Sequence, residues 1–178
     1  RKLEKNLGLF LNSGNISIKS KSHQSILFSV KDIFDERELD KEIIIKLVRI
    51  AMQQFQNCEK NLTILHVIIN KYVIDDKVYN FFPVCKKFTR IILEIEFICL
   101  NKVLIDKVKK LFNECKIDVK KIVSFDYAKK FLNNIKDDTL CLSAYEILNG
   151  ANRSEVILTE NTSEKYSLFD KIFNFLDK

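Results

Sequence analysis

The chain contains two histidines, and the neighbours of neither suit it to acid–base work. His66 lies between Leu65 and Val67 in an apolar run, where an imidazole more often completes internal hydrogen bonding than takes a substrate proton. His23 stands in a polar stretch without a companion. Asp75-Asp76 and Asp137-Asp138 are adjacent pairs, which fit turns and helix caps and do not make the spaced carboxylates of a general acid and base. No Ser-His-Asp arrangement can be argued from residue order. Cys58, Cys85, Cys99, Cys115 and Cys141 occur singly, so neither zinc-finger spacing nor a Cys-x-x-Cys redox pair is present, and they read as buried free thiols in a reducing cytosol. Gly8, Gly14 and Gly150 are the only glycines, too few for hairpins that wrap phosphates with bare backbone amides. These observations lead to the expectation of a non-enzyme with no catalytic residue, no metal ligands and no cofactor.

The residues that remain distinctive act by surface chemistry. Ten lysines (Lys102, Lys107, Lys109, Lys110, Lys116, Lys120, Lys121, Lys129, Lys130 and Lys136) face four acids between positions 101 and 136, an excess equal to the whole net charge of +6. Such a region is a solvated face, or a surface for anionic lipid or nucleic acid. It lacks interleaved exposed aromatics and glycine-bearing RNA motifs, so no nucleic-acid partner is expected. The last eleven residues, 168–178, carry the sharper pattern. At 100° per residue Leu168, Phe169, Ile172, Phe173, Phe175 and Leu176 fall on one half of a helix, with Asp170, Lys171, Asn174, Asp177 and Lys178 on the other. Two surfaces could receive the apolar half: a bilayer, or the protein's own core. Burying six such side chains is worth ~9–18 kcal/mol gross, most of it cancelled by ordering and shallow insertion, so one copy would bind weakly and reversibly. Two acids and two lysines leave the stripe neutral, without a polybasic signal of its own.

The elements that must position these features follow from periodicity. With 47% hydrophobic and 30% charged residues, the composition is that of a globular protein. No apolar run of about eighteen residues is present and the charged amino end has no signal-peptide segment, so the chain as written is expected to be neither exported nor membrane-spanning. Its start at Arg1 leaves room for upstream sequence. Alternation predicts strands over 15–20 and 25–30, then a helix over 35–57 capped by Asp35, with Leu39, Ile43, Leu47, Ile50, Ala51 and Phe55 inward. Strands over 63–74, 77–82 and 88–100 follow, the first two joined by an Asp75-Asp76 turn. A helix over 101–115 is predicted to turn Val103, Leu104, Val108, Leu111 and Phe112 inward. A strand over 118–125 and short helices over 127–135 and 139–148 complete the pattern, with Gly150 closing the last helix. The fold class is α+β, a small antiparallel-rich sheet with packed helices. Residues 151–167 read as a polar tether leading to the amphipathic helix.

The order of several segments resembles the bacterial cell-division protein FtsA, an actin homologue. Ile64-Leu65-His66-Val67-Ile68-Ile69, Tyr72-Val73-Ile74-Asp75-Asp76, Pro83-Val84 and Leu93-Glu94-Ile95-Glu96 look like consecutive pieces of that family's small strand-helix-strand domain, which replaces one actin subdomain. Lys116-Ile117-Asp118-Val119-Lys120-Lys121-Ile122-Val123 and Tyr127-Ala128 are similar to the helix end and strand that come next, Cys141 to Gly150 to a helix near the carboxyl end, and the 168–176 stripe to the terminal membrane-targeting helix. The resemblance departs from the family where Cys85-Lys86-Lys87 follow the proline, and the family's ATP-binding hairpins have no counterpart. No ATP site is expected.

The organisation implied is an α+β unit over 1–136, a short helical region over 137–150, a linker over 151–167 and a membrane-binding helix over 168–178. The resemblance implies a division adaptor on the cytoplasmic face of the inner membrane at the division site. There it would recruit later division proteins and contact lipid through Leu168, Phe169, Ile172, Phe173, Phe175 and Leu176, with self-association as a further expectation. Direct contact with the tubulin-like FtsZ is less expected, because the family's FtsZ surface lies mainly in the part without a counterpart here. Two other readings stand beside this one: an actin-like adaptor of pilus assembly, and a small basic nucleic-acid-binding domain.

Overall fold

The computed structural model describes residues 2–84, 87–131 and 140–157. The elements are α1 (Lys2–Leu7), β1 (Ser13–Ile18), β2 (Gln24–Arg37), α2 (Lys41–Cys58), β3 (Leu62–Ile74), β4 (Lys77–Tyr79), β5 (Phe88–Asn101), α3 (Lys102–Glu114), β6 (Asp118–Ser124), α4 (Phe125–Phe131) and α5 (Leu140–Leu148). β2, β5, β3 and β4, in that order, make an antiparallel four-stranded sheet, while β1 and β6 pair in parallel as a separate two-stranded sheet. The fold is α+β, as the periodicity predicts.

Period-two alternation in β5 sorts its side chains onto two faces. Ile91, Leu93, Ile95, Phe97 and Cys99 join Val67, Ile69 and Tyr72 of β3 beneath Ile44, Leu47, Val48, Ala51 and Phe55 of α2, which forms the main core. Phe55 and Phe97 stack at 5.0 Å between ring centroids. On the opposite face Ile68 and Ile98 meet Val123, Tyr127, Ala128 and Ile147 in a smaller cluster. β6, α4 and α5 are thereby held on the face away from α2. Burial raises the Tyr72 hydroxyl to about 12 and the Cys99 thiol to about 12, so neither ionises near neutrality.

Several expectations are corrected. The helix predicted from Asp35 begins at Lys41, because β2 continues until Arg37 sits opposite Phe88. Asp40 is the cap, its Oδ1 accepting from the Ile43 amide at 2.8 Å. β4 ends at Tyr79, short of Phe82, and α1 is a helix that the sequence reading left out. On α3 the buried residue is Ile105, while Val103 and Leu111, predicted inward, are exposed. Leu104, Val108 and Phe112 are half-buried, so the inward stripe is narrower than predicted. The cysteines are also misjudged, since Cys58, Cys115 and Cys141 are exposed and only Cys99 among the described ones is buried. All three exposed thiols sit on helices or at their ends.

Turn chemistry fixes the ends. Asp75 and Asp76 take φ of 44° and 71°, a left-handed pair that joins β3 to β4 in a two-residue hairpin. The Asp75 carboxylate accepts from the Arg90 amide at 2.9 Å, the Thr89 hydroxyl at 2.9 Å and the Thr89 amide at 3.2 Å. These bonds, the Arg90 amide first, hold its pKa below the ordinary 3.8. At the other end Gly150, at φ 80°, ends α5 with the Ala151 amide on the Glu146 carbonyl and the Gly150 amide on Ile147, both 3.0 Å, the Schellman pattern that glycine favours.

A carboxylate with a lowered folded pKa adds stability that is complete above its unfolded value and disappears as pH falls through the folded one. Asp75→Asn, which tolerates the left-handed turn, should therefore be less stable than the parent in urea at pH 5–7, with the gap closing as pH drops below 3.8. A gap independent of pH would contradict the role given to this carboxylate.

Candidate functional site

The residues assigned to lipid, Leu168, Phe169, Ile172, Phe173, Phe175 and Leu176, lie outside the described residues, as do Asp137 and Asp138. What is described is the place from which the chain runs on to them. β4 covers β3 only at Tyr72–Ile74, so the preceding part of that edge needs another partner. Residues 154–156 supply it. The Ile69 amide donates to the Ser154 carbonyl and the Val156 amide to the Val67 carbonyl, each at 2.8 Å, giving an antiparallel bridge between Ile68 and Glu155. The polar linker expected over 151–167 is thus corrected in its first part, since 152–156 dock on the sheet.

A buried polar network secures this docking. His66 is 4% exposed, and its Nε2 accepts from the Ser124 amide at 3.0 Å. A backbone N–H can only donate, so Nε2 carries no proton and the ring is the neutral Nδ1–H form. Nδ1–H donates to Glu155 Oε1 at 2.7 Å. The contact has salt-bridge geometry, yet the tautomer makes it a neutral imidazole bonded to a carboxylate. The other carboxylate oxygen accepts from the Tyr127 hydroxyl at 2.8 Å, which in turn accepts from Asn152 Nδ2 at 2.7 Å. Ser124 also caps α4, its hydroxyl accepting from the Tyr127 amide at 3.3 Å. Burial, with Glu155 adding to it, pushes the Tyr127 hydroxyl far above its ordinary value, so it remains a donor.

In outline this is a His–carboxylate couple of the kind that serves general bases. It cannot act as one in this state, because Nε2 is occupied by a backbone amide and Nδ1 by Glu155. His66 therefore behaves as the structural residue that its apolar setting suggests. His23 is also unconnected to it, and its buried Nε2 has no hydrogen-bond partner. Among the described residues no three His, Cys, Asp or Glu side chains cluster as a metal site would require.

Beside the docked segment is a cavity of about 480 Å³. Met52, Ile64, Ile105, Ile122 and Ile157 supply apolar wall, and Lys109, Lys120 and Lys121 supply the positive charge, with Glu155 the one acid in the lining. Both Glu155 oxygens are engaged by His66 and Tyr127, so its charge offsets that of the lysines only through space. Lys120 also bonds to Asp118 at 2.7 Å. Three lysines of the basic 101–136 region therefore line the same cavity as Ile157, the last residue described before the tail.

Sequence reasoning identified His66 but not Glu155, Tyr127, Asn152 or Ser124 as its partners. The available signal was the serine three residues before Tyr127, a helix-cap spacing. Nothing local announces Glu155, which is 89 residues from His66. Comparison with known protein families and with characterised proteins finds no match for this chain.

Replacing His66 with Leu should destabilise the protein by about 3 kcal/mol, since the Ser124 amide and the Glu155 carboxylate would be left buried without their partner. Glu155→Gln, which keeps shape and one acceptor, should cost about 1 kcal/mol. In both variants the Ile69 and Val156 amides should exchange with solvent faster than in the parent, by a larger factor than the amides of β5. Equal protection in parent and variants would show that the network does not hold the segment.

Proposed function

We propose that the chain is a peripheral membrane adaptor, of the type that serves bacterial cell division on the cytoplasmic face of the inner membrane, with its 168–178 stripe as the lipid-contacting element. The observation that carries this reading is that Lys109, Lys120 and Lys121 line the same cavity as Ile157. A short amphipathic helix gives marginal attachment alone, and stable anchoring takes a second signal such as a basic patch. The stripe is neutral, so on this reading the globule provides that patch, through lysines that line a cavity with Ile157. The His66–Glu155 network supports the same reading, because it holds residues 152–156 on the sheet beside that cavity. Among the described residues no helix is long and apolar enough to cross a membrane, which fits attachment by a surface helix.

The division role rests on the resemblance of the β3, β4 and β5 segments and the terminal stripe to FtsA. On this reading the sheet presents recruiting surfaces to later division proteins while the tail and lysines hold the protein to lipid.

Flotation with vesicles rich in anionic lipid tests the membrane part. Phe169→Glu with Phe173→Glu should abolish binding. Lys109→Gln, Lys120→Gln and Lys121→Gln together should weaken it by about 10–100-fold, at ~1 kcal/mol or somewhat less per lysine, and the parent's binding should fall with added salt. Unchanged binding by the phenylalanine double variant would overturn the reading.

A further inference from the structure

β2 is the outermost strand of the four-stranded sheet and one of its two longest, with 14 residues. Its pairing with β5 is regular from Gln24 to Ile33 and breaks only between Ile33 and Arg37. Its other edge has no strand partner among the described residues. A long regular edge of this kind is a template for another strand.

Two large apolar side chains stand out on that strand. Leu27 is 73% and Ile33 is 69% exposed, and both project from the face opposite α2, because Ile26, Phe28 and Phe34 pack on the α2 side. They lie three residues either side of Val30. This symmetry specifies a partner. When two copies of β2 pair antiparallel about a two-fold axis through Val30, Leu27 of each faces Ile33 of the other and Ser29 faces Lys31, all within the regular part of the strand. No neighbouring register does as well. Centring on Lys31 or Asp32 sets like charges against each other, which is unfavourable in directly opposed pairs. Centring on Phe28 or Ser29 leaves Leu27 against a serine or a lysine. Centring on Ile33 runs the ladder through the irregular part of β2.

We propose that the β2 edge is a self-complementary interface at which two copies of this chain pair about Val30, joining their sheets into one of eight strands. The closed two-fold arrangement is the commonest among soluble homo-oligomers. Backbone hydrogen bonds and four apolar side chains make a small contact, so the dimer is reversible and concentration-dependent. Two tails per particle then raise attachment to vesicles by avidity. That consequence rests on the membrane reading above, whereas the dimer does not and is measured without lipid.

Light scattering or sedimentation of the full chain reads the result directly. The parent's weight-average mass should rise from 20.9 kDa towards twice that value as concentration increases. Leu27→Lys with Ile33→Lys should remain at the monomer mass, as should Leu27→Glu with Ile33→Glu, because each places like charges opposite one another. Mixing these two variants should restore a dimer. Leu27→Lys with Ile33→Glu should dimerise alone, since each new charge meets its opposite in this register. All four substitutions are at exposed positions, and unchanged circular dichroism and melting would confirm the fold. A parent that stays monomeric at its highest soluble concentration, or a dimer that survives in the Lys/Lys variant, would overturn the interface. A parent that dimerises yet does not bind vesicles would remove the membrane reading and leave this interface standing.

Discussion

Glu155 is the side chain through which residues 152–156 are fastened to the sheet. A carboxylate with only 8% of its side chain exposed is expensive to bury, and it is tolerated here because both oxygens receive hydrogen bonds, from His66 and from Tyr127. The same bonds connect β3, α4 and the 152–156 segment. Remove one participant and two others are left buried without partners, so the network is held together by the penalty for breaking it as much as by the strength of each bond. His66 is completed by the Ser124 amide, so its position depends on α4 and β6 being in place. The small second core of Ile68, Ile98, Val123, Tyr127, Ala128 and Ile147 provides the dry surroundings in which these bonds count.

This fastening gives the lysine-rich region a location with meaning. Lysines spread over a helix and a strand are ordinarily solvated and carry no message. Here three of them line a cavity whose wall also includes the last described residue before the amphipathic stripe. A basic surface and an apolar tail each bind lipid weakly, and their combination is additive in free energy and multiplicative in affinity. On the proposed membrane reading, the docked 152–156 segment would bring the tail and these lysines to lipid together.

Much of the fold can be read from the sequence. β3 and β5 are apolar runs rich in branched residues, α2 has a wide apolar stripe, and the paired aspartates mark a hairpin. The start of α2 was misread because acids at Asp35 and Glu36 look like a helix amino terminus, and what keeps them in β2 is the pairing of Arg37 with Phe88, a distant contact. The stripe of α3 was read too broadly, because its periodicity does not say how much of a helix face its neighbours cover. The clearest failure is at 151–157. Its polar composition is that of a tether, and its docking depends on backbone bonds to β3 and on a carboxylate whose partner lies far away in sequence. His66 could be recognised as structural from its apolar neighbours, but not the residues that make it so.

The most direct measurement is of the His66 ring itself. Long-range proton–nitrogen correlation by NMR on imidazole-labelled protein at neutral pH distinguishes the two neutral tautomers and the charged ring. The buried network predicts a neutral ring protonated at Nδ1, with that proton slow to exchange, and in Glu155→Gln the same proton exchanging faster. A ring protonated at Nε2, or one with both nitrogens exchanging freely with water, would contradict the arrangement on which the docking of the carboxyl-terminal segment depends.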